Sequence, residues 1–113
     1  LLAFGRACGL DLVVEVHEKD ELSLALDSGA DILGVNSRDL STFTIDRPHA
    51  WALLRSIPAQ CIAIAESGMS CLADVEAAAA AGADAVLVGS ALSAAKDPRE
   101  LVRQFVSVER RDR

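Results

Sequence analysis

Apolar and polar positions along this chain follow two alternating periods. Four apolar runs of strand length, at 12–16, 32–35, 61–65 and 85–88, each lead into a polar or glycine-bearing tip. Between them apolar residues recur at helical spacing. Leu22, Ala25 and Leu26 mark a helix over 18–28, closed by Gly29. Trp51, Leu53 and Leu54 mark a second, with Asp46 as N-cap and Pro48 in its first turn. Pro58 separates that helix from the third strand. An Ala-rich helix over 71–81 stops at Gly82, and Asp97-Pro98 opens the last, through Leu101, Val102, Phe105 and Val106. Gly9 closes a helical turn at the start, and 36–44 reads as a loop. Cap residues before a helix and glycine after it satisfy its end groups.

The order is therefore strand then helix, four times. A weak repeat supports this register: ALDSGADILG at 25–34 and AAAAGADAVL at 78–87 both join helix to strand through Gly-Ala-Asp. Short connections of this kind argue for parallel strands with right-handed crossovers. The expected fold class is α/β, four parallel strands each followed by a helix, about half of a TIM (β/α)8 barrel. Such barrels place their chemistry at the C-terminal ends of the strands.

Side chains alternate along a strand, so parity assigns faces. One set holds Val13, Glu15 and His17; the next Ile32, Gly34 and Asn36; then Ile62, Ile64 and Glu66; then Ala85, Leu87 and Gly89. In each, apolar or small members come first and the polar or glycine member last. That is the layering of a barrel filled below and functional above. Glu15 becomes an inward carboxylate over an apolar layer, where partial desolvation raises its pKa and fits it for general acid or base work. Glu66 is a second. Asn36 both donates and accepts, which suits a substrate hydroxyl. Arg38 offers a planar fork for carboxylate or phosphate, or an ion pair with Glu66 or Asp39. Ser67, Gly68, Gly89 and Ser90 lie on two adjacent loops where backbone amides and a helix N-terminus favour phosphate; the alternative is that the glycines serve turns only. His17 is read as a local hydrogen-bonding group near the mouth and His49 as exposed.

The bulk numbers add bounds. The chain's 113 residues make one domain, 1–113, with no second. It is 51% hydrophobic but only 4% aromatic, so its core is aliphatic. A net charge of −6 argues against nucleic acid as a main partner. The basic tail Arg110-Arg111-Asp112-Arg113 reads as a solvated helix end. Cys8, Cys61 and Cys71 are odd in number and lack metal-type spacing, so no metal site is expected; Cys61 reads as a small buried hydrophobe. No apolar run reaches the ~18 residues of a membrane span, and no signal peptide is recognised at the start. A reduced, cytoplasmic setting with no membrane partner is expected. The chain opens in mid-pattern and its sole methionine is Met69, which reads as a piece of a longer chain.

Four segments, VVEVHEKDEL, GADILGVNSRDLSTFTID, IAESGMS and GADAVLVGSAL, resemble indole-3-glycerol phosphate synthase, an enzyme of tryptophan biosynthesis. The resemblance covers nearly the whole chain in order; NSRDL-x-TF-x-ID is its most specific part. It implies a (β/α)8 barrel with this chain as strands five to eight. It also implies a carbon–carbon lyase that closes a pyrrole ring. The substrate would be 1-(2-carboxyphenylamino)-1-deoxyribulose 5-phosphate and the product indole-3-glycerol phosphate, with loss of CO2 and water and no cofactor. By this resemblance Glu15 is the catalytic acid/base, Asn36 orients substrate, and Arg38 and Glu66 are active-site residues. Ser67, Gly68, Gly89 and Ser90 contact phosphate, and Leu87 lines the aromatic pocket. Met69 stands where the family usually has Ile. The family's catalytic lysines on strands one and three have no counterpart: Lys19 and Lys96 lie on helical or loop segments. The chain is therefore expected to need an N-terminal half-barrel for activity. Two alternatives remain: another phosphate-binding barrel such as phosphoribosylanthranilate isomerase, or a non-catalytic phosphate-binding half-barrel that forms a homodimer through exposed strand edges.

Overall fold

The computed structural model describes residues 1–112. Helix α1 (Leu2–Ala7) precedes strand β1 (Val13–Val16), α2 (Lys19–Asp27), β2 (Ile32–Asn36), α3 (Arg47–Ser56), β3 (Ile62–Glu66), α4 (Leu72–Ala80), β4 (Ala85–Leu87), α5 (Ser90–Ala94) and α6 (Pro98–Val106). The four strands form one sheet in the order β1-β2-β3-β4, parallel throughout. The α/β alternation expected from the sequence is present, with element ends shifted by a residue or two.

Local chemistry places the boundaries. A capping box opens α2, in which the Glu21 carboxylate accepts from the Glu18 backbone N–H at 3.2 Å. Asp46 accepts from His49 N at 3.1 Å and Pro48 sits in the first turn of α3. Asp97 and Pro98 open α6 in the same manner. The Gly-Ala-Asp repeat is one structural device used twice. Gly29 and Gly82 take positive φ of 84° and 104°, past the ends of α2 and α4. The next amide then reaches back into each helix, Ala30 N to Ala25 O and Ala83 N to Ala78 O, both at 3.0 Å. Ala30 and Ala83 are buried, so the turn also starts the core.

Helices cover one face of the sheet. Val16, Leu33, Val35, Ala63 and Ala65 point into it and are buried with Leu22, Ala25, Leu53, Leu54 and Ala78. Cys61 joins this core, as expected. The opposite face, the one carrying Val13, Ile62 and Leu87, leaves those side chains 52%, 48% and 61% exposed. Strand parity assigned both faces correctly, and the inward face of the expected barrel lies open.

Three expectations need correction. Trp51 is only half-buried, and Ala50 takes its place in the buried stripe of α3. In α6 only Phe105 is buried, while Val102 and Val106 are exposed; α6 packs on α4 and α5 beside the last strand, where the sheet stops. The basic tail is not a helix end, since α6 finishes at Val106, and Arg110 pairs with Asp84 at 3.1 Å. Arg113 of that tail lies outside the described residues. The short helix α5 was not foreseen as a separate element.

Candidate functional site

The register brings the tips together. Glu15 on β1 is level with Gly34 on β2, and Asn36 on β2 is level with Glu66 on β3, itself beside Leu87 on β4. Neighbouring strands lie about 4.8 Å apart, so these side chains stand over one patch of the open face. Asn36 joins two of the tips: its amide Nδ2 donates to Glu15 Oε1 at 3.2 Å, and its Oδ1 accepts from Arg38 N at 2.9 Å. One side chain thus orients the first carboxylate and shapes the loop that carries the arginine.

Glu66 is 7% exposed although it ends a strand at the open face. Its pKa is pushed up to about 7, first by burial, then by the hydrogen bond its protonated form donates to Glu15 and by the repulsion of that carboxylate. A carboxyl beside a carboxylate keeps its proton to higher pH than it would alone. A group of this kind titrates near neutrality and can give or take a proton at physiological pH.

His17 stands beside Glu15, its Nε2 3.2 Å from Glu15 Oε1 and its Nδ1 3.5 Å from Glu21. Its backbone N–H donates to Glu21 at 2.6 Å, whereas its ring Nε2 is buried without a hydrogen-bond partner. That backbone bond, ahead of the opposing effect of burial, helps hold the Glu21 carboxyl below the usual range. His49 is exposed, as read from the sequence, and its Nε2 lies 2.8 Å from His17 O.

Arg38 makes neither ion pair considered for it. Its guanidinium donates to Phe43 O at 3.4 Å, across a hairpin-like turn closed by the Arg38–Ile45 bridge. Asp39 is occupied within that turn, accepting from Ser41 N at 2.8 Å, Ser41 Oγ at 2.6 Å and Thr42 N at 3.1 Å. These bonds hold its carboxyl below the usual range. Both former candidates are thus engaged elsewhere, and Arg38 turns toward a cleft.

That cleft is about 1010 Å³ and is lined by Arg38, Ser67, Gly68, Leu87, Gly89 and Ser90, together with Met69, Ser70, Val88 and Ala91. The structure brings together all four residues read as phosphate contacts, with Arg38 and Leu87. Ser67 and Gly68 both take positive φ, 65° and 71°. Ser67 is not glycine, so its conformation must be held from outside. Ser37, which is buried, does this: its Oγ donates toward Glu66 O at 3.1 Å and Ser67 O at 3.0 Å. Arg47 adds a bond from Nη2 to Gly68 O at 2.6 Å and an ion pair with Asp74 at 3.2 Å. Asp74 is partly desolvated, but bonds from Ser70 and Cys71 and the Arg47 charge outweigh this and lower its pKa. Ser37 and Arg47 were not singled out from the sequence. Their signal is weak there, because what they hold is the backbone of another strand's loop. Gly89 differs from Gly68: it is the N-cap of α5, with open space where a Cβ would lie. The loop after the last strand followed by a short extra helix is a recurrent anion-binding arrangement in barrels.

Comparison with known proteins bears on this geometry. The sequence profile of a family described as indole-3-glycerol phosphate synthase matches residues 1–105. Relatives carrying that name include one from Streptomyces coelicolor, 44% identical over 106 residues, covering 94% of this chain and 41% of the relative. One from Dehalococcoides mccartyi is 42% identical with the same coverage. One from Mycobacteroides abscessus is 45% identical over 107 residues, covering 95% and 39%. The chain thus spans about two fifths of the length of these relatives. Among solved structures, the Amycolatopsis orientalis BexX/CysO complex superposes with a TM-score of 0.73 at 24% identity, over 91% of this chain and 43% of that one. A mandelate oxidase mutant gives 0.57 at 24%, over 88% and 37%. These two show shared fold alone, and the fold is that of half a TIM barrel.

Proposed function

The chain belongs to the indole-3-glycerol phosphate synthase family, and on that premise we propose that it supplies the C-terminal half of a synthase site. The reaction is ring closure of 1-(2-carboxyphenylamino)-1-deoxyribulose 5-phosphate to indole-3-glycerol phosphate, with release of CO2 and water, the work of a carbon–carbon lyase of the tryptophan pathway. The observation that carries this reading is the juxtaposition of the Glu15–Asn36–Glu66 cluster with the cleft of Arg38, Ser67, Gly68, Gly89 and Ser90.

Each group has a task suited to its chemistry. Glu15 and Glu66 move protons during ring closure and dehydration. Asn36 fixes Glu15 and meets a substrate hydroxyl. The Arg38 fork binds an anionic end of the substrate. The left-handed turn at Ser67-Gly68 and the start of α5 at Gly89-Ser90 take the phosphate, while Leu87 packs against the aromatic ring. No cofactor is required by this scheme.

The proposal also names a partner. The open apolar face and the unpaired edges of β1 and β4 are where an N-terminal half-barrel closes the ring of strands and brings the lysines that this half lacks. The test is to assay the chain alone and joined to the N-terminal part of the Streptomyces coelicolor relative, following product by its indole fluorescence. Turnover is expected only in the joined form. Turnover by the chain alone, or none in a folded joined protein, refutes the reading. A second reading rests on the same unpaired edges: two copies pair into a closed dimer. A monomer on a sizing column at all concentrations rejects it.

A further inference from the structure

Gly34 sits in the middle of β2, a position where glycine weakens a strand and leaves no side chain to pack. Its backbone does not call for glycine, since it is not among the residues with positive φ. What calls for it is space. A Cβ built on Gly34 would collide with Glu66 Oε1 and come within 2.8 Å of Glu66 Cδ, and it would approach Val13 Cγ1 at 3.2 Å. The Glu66 carboxyl therefore lies folded down over the bare Cα of Gly34. Gly34 is the register partner of Glu15, so the slot directs one carboxyl to the other. Without the slot, Glu66 would have to extend away from the sheet toward solvent, leaving the hydrogen bond it shares with Glu15.

We propose that Gly34 is a positioning residue, whose missing side chain forms the slot that lays the Glu66 carboxyl down on the sheet toward Glu15. Gly34 touches no reacting atom in this scheme; it acts through Glu66. The clash falls on the far end of a flexible side chain and not on backbone, so an alanine here displaces the carboxyl while the fold survives. Groups facing the pair are His17 beside Glu15 and Asn36 on β2, while Arg38 lines the adjacent cleft. None of them changes in the substitution.

The test is carboxyl NMR titration of Glu66 in the 113-residue chain and in Gly34→Ala. In the parent, the Glu66 midpoint is expected well above the ordinary carboxylate range. In Gly34→Ala it is expected to fall by at least one pH unit. An ordinary midpoint in the parent, or an unchanged midpoint in a folded Gly34→Ala, overturns the proposal. Should Gly34→Ala fail to fold, Gly34→Ala/Glu66→Ala decides: recovered folding supports the clash with Glu66, and continued failure overturns it. The kinetic arm rests on the synthase reading. In the joined protein Gly34→Ala is expected to lower kcat at least tenfold and shift its pH profile, with KM within twofold; a KM effect with unchanged kcat overturns the positioning role. An inactive joined parent with the titration shift intact defeats the synthase reading and leaves this one standing.

Discussion

Replacing Glu66 by Gln should stabilise the protein at high pH and leave it nearly unchanged at low pH. The folded-state pKa of Glu66 is raised from 4.5 to about 7. The native state therefore binds this proton more tightly than the unfolded chain does. Between pH 4.5 and 7 the native state carries more protons, so stability falls as pH rises through that window, and the loss is complete above it. A gap of about 2.5 pH units corresponds to about 3.4 kcal/mol at most. Part of that gap is repulsion from the exposed Glu15 carboxylate, which solvent screens, and this reduces the figure to about 1–2 kcal/mol. Gln removes the charge, keeps the shape, and lets its amide donate to Glu15. Urea unfolding followed by circular dichroism at pH 4, 6 and 8 measures the difference between variant and parent. Other titrating groups common to both chains largely cancel in that difference. The variant's advantage should grow with pH to about 1–2 kcal/mol by pH 8. An equal displacement at all three pH values, or an advantage that shrinks as pH rises, refutes the reasoning.

Two further substitutions probe the loop and the core. Gly68→Ala combines a φ of +71° with a Cβ 3.0 Å from Ile45 Cγ2 and 3.2 Å from Ser37 Oγ, so it should cost about 1–2 kcal/mol, whereas Gly89→Ala enters open space and should stay within about 0.5 kcal/mol; equal urea midpoints for the two would contradict the strain assigned to the first loop. Leu54→Ala removes a fully buried side chain from between α3 and the sheet and should cost about 2–5 kcal/mol; a thermal midpoint within two degrees of the parent would show that α3 is not anchored there.

Much of this molecule is legible in its one-dimensional pattern. Apolar runs of strand length, helical spacing between them and glycine after two helices define four βα units, because these depend on groups a few residues apart. Strand parity also selects the two faces of the sheet. It places Glu15, Asn36, Glu66 and Leu87 on the open side, since alternation is a local property of extended backbone. The repeat at 25–34 and 78–87 is readable for the same reason: each copy closes its helix by a bond five residues back.

Tertiary structure decided what depends on neighbours distant in sequence. The raised pKa of Glu66 follows from its burial and from Glu15 two strands away, and its carboxyl lies against the bare Cα of Gly34, 32 residues earlier. That Arg38 is free of Glu66 and Asp39 follows from the turn that consumes Asp39 and aims the guanidinium at the cleft. The hold of Ser37 and Arg47 on the Ser67-Gly68 turn is likewise invisible in the sequence, because both side chains bond to backbone carbonyls. A carbonyl belongs to every residue alike, so no side-chain pattern announces which one will be bound. The sequence alone determined which groups line the mouth of the sheet. Only the folding of β2 against β3 determined which of them meet, because register converts separate positions into contacts.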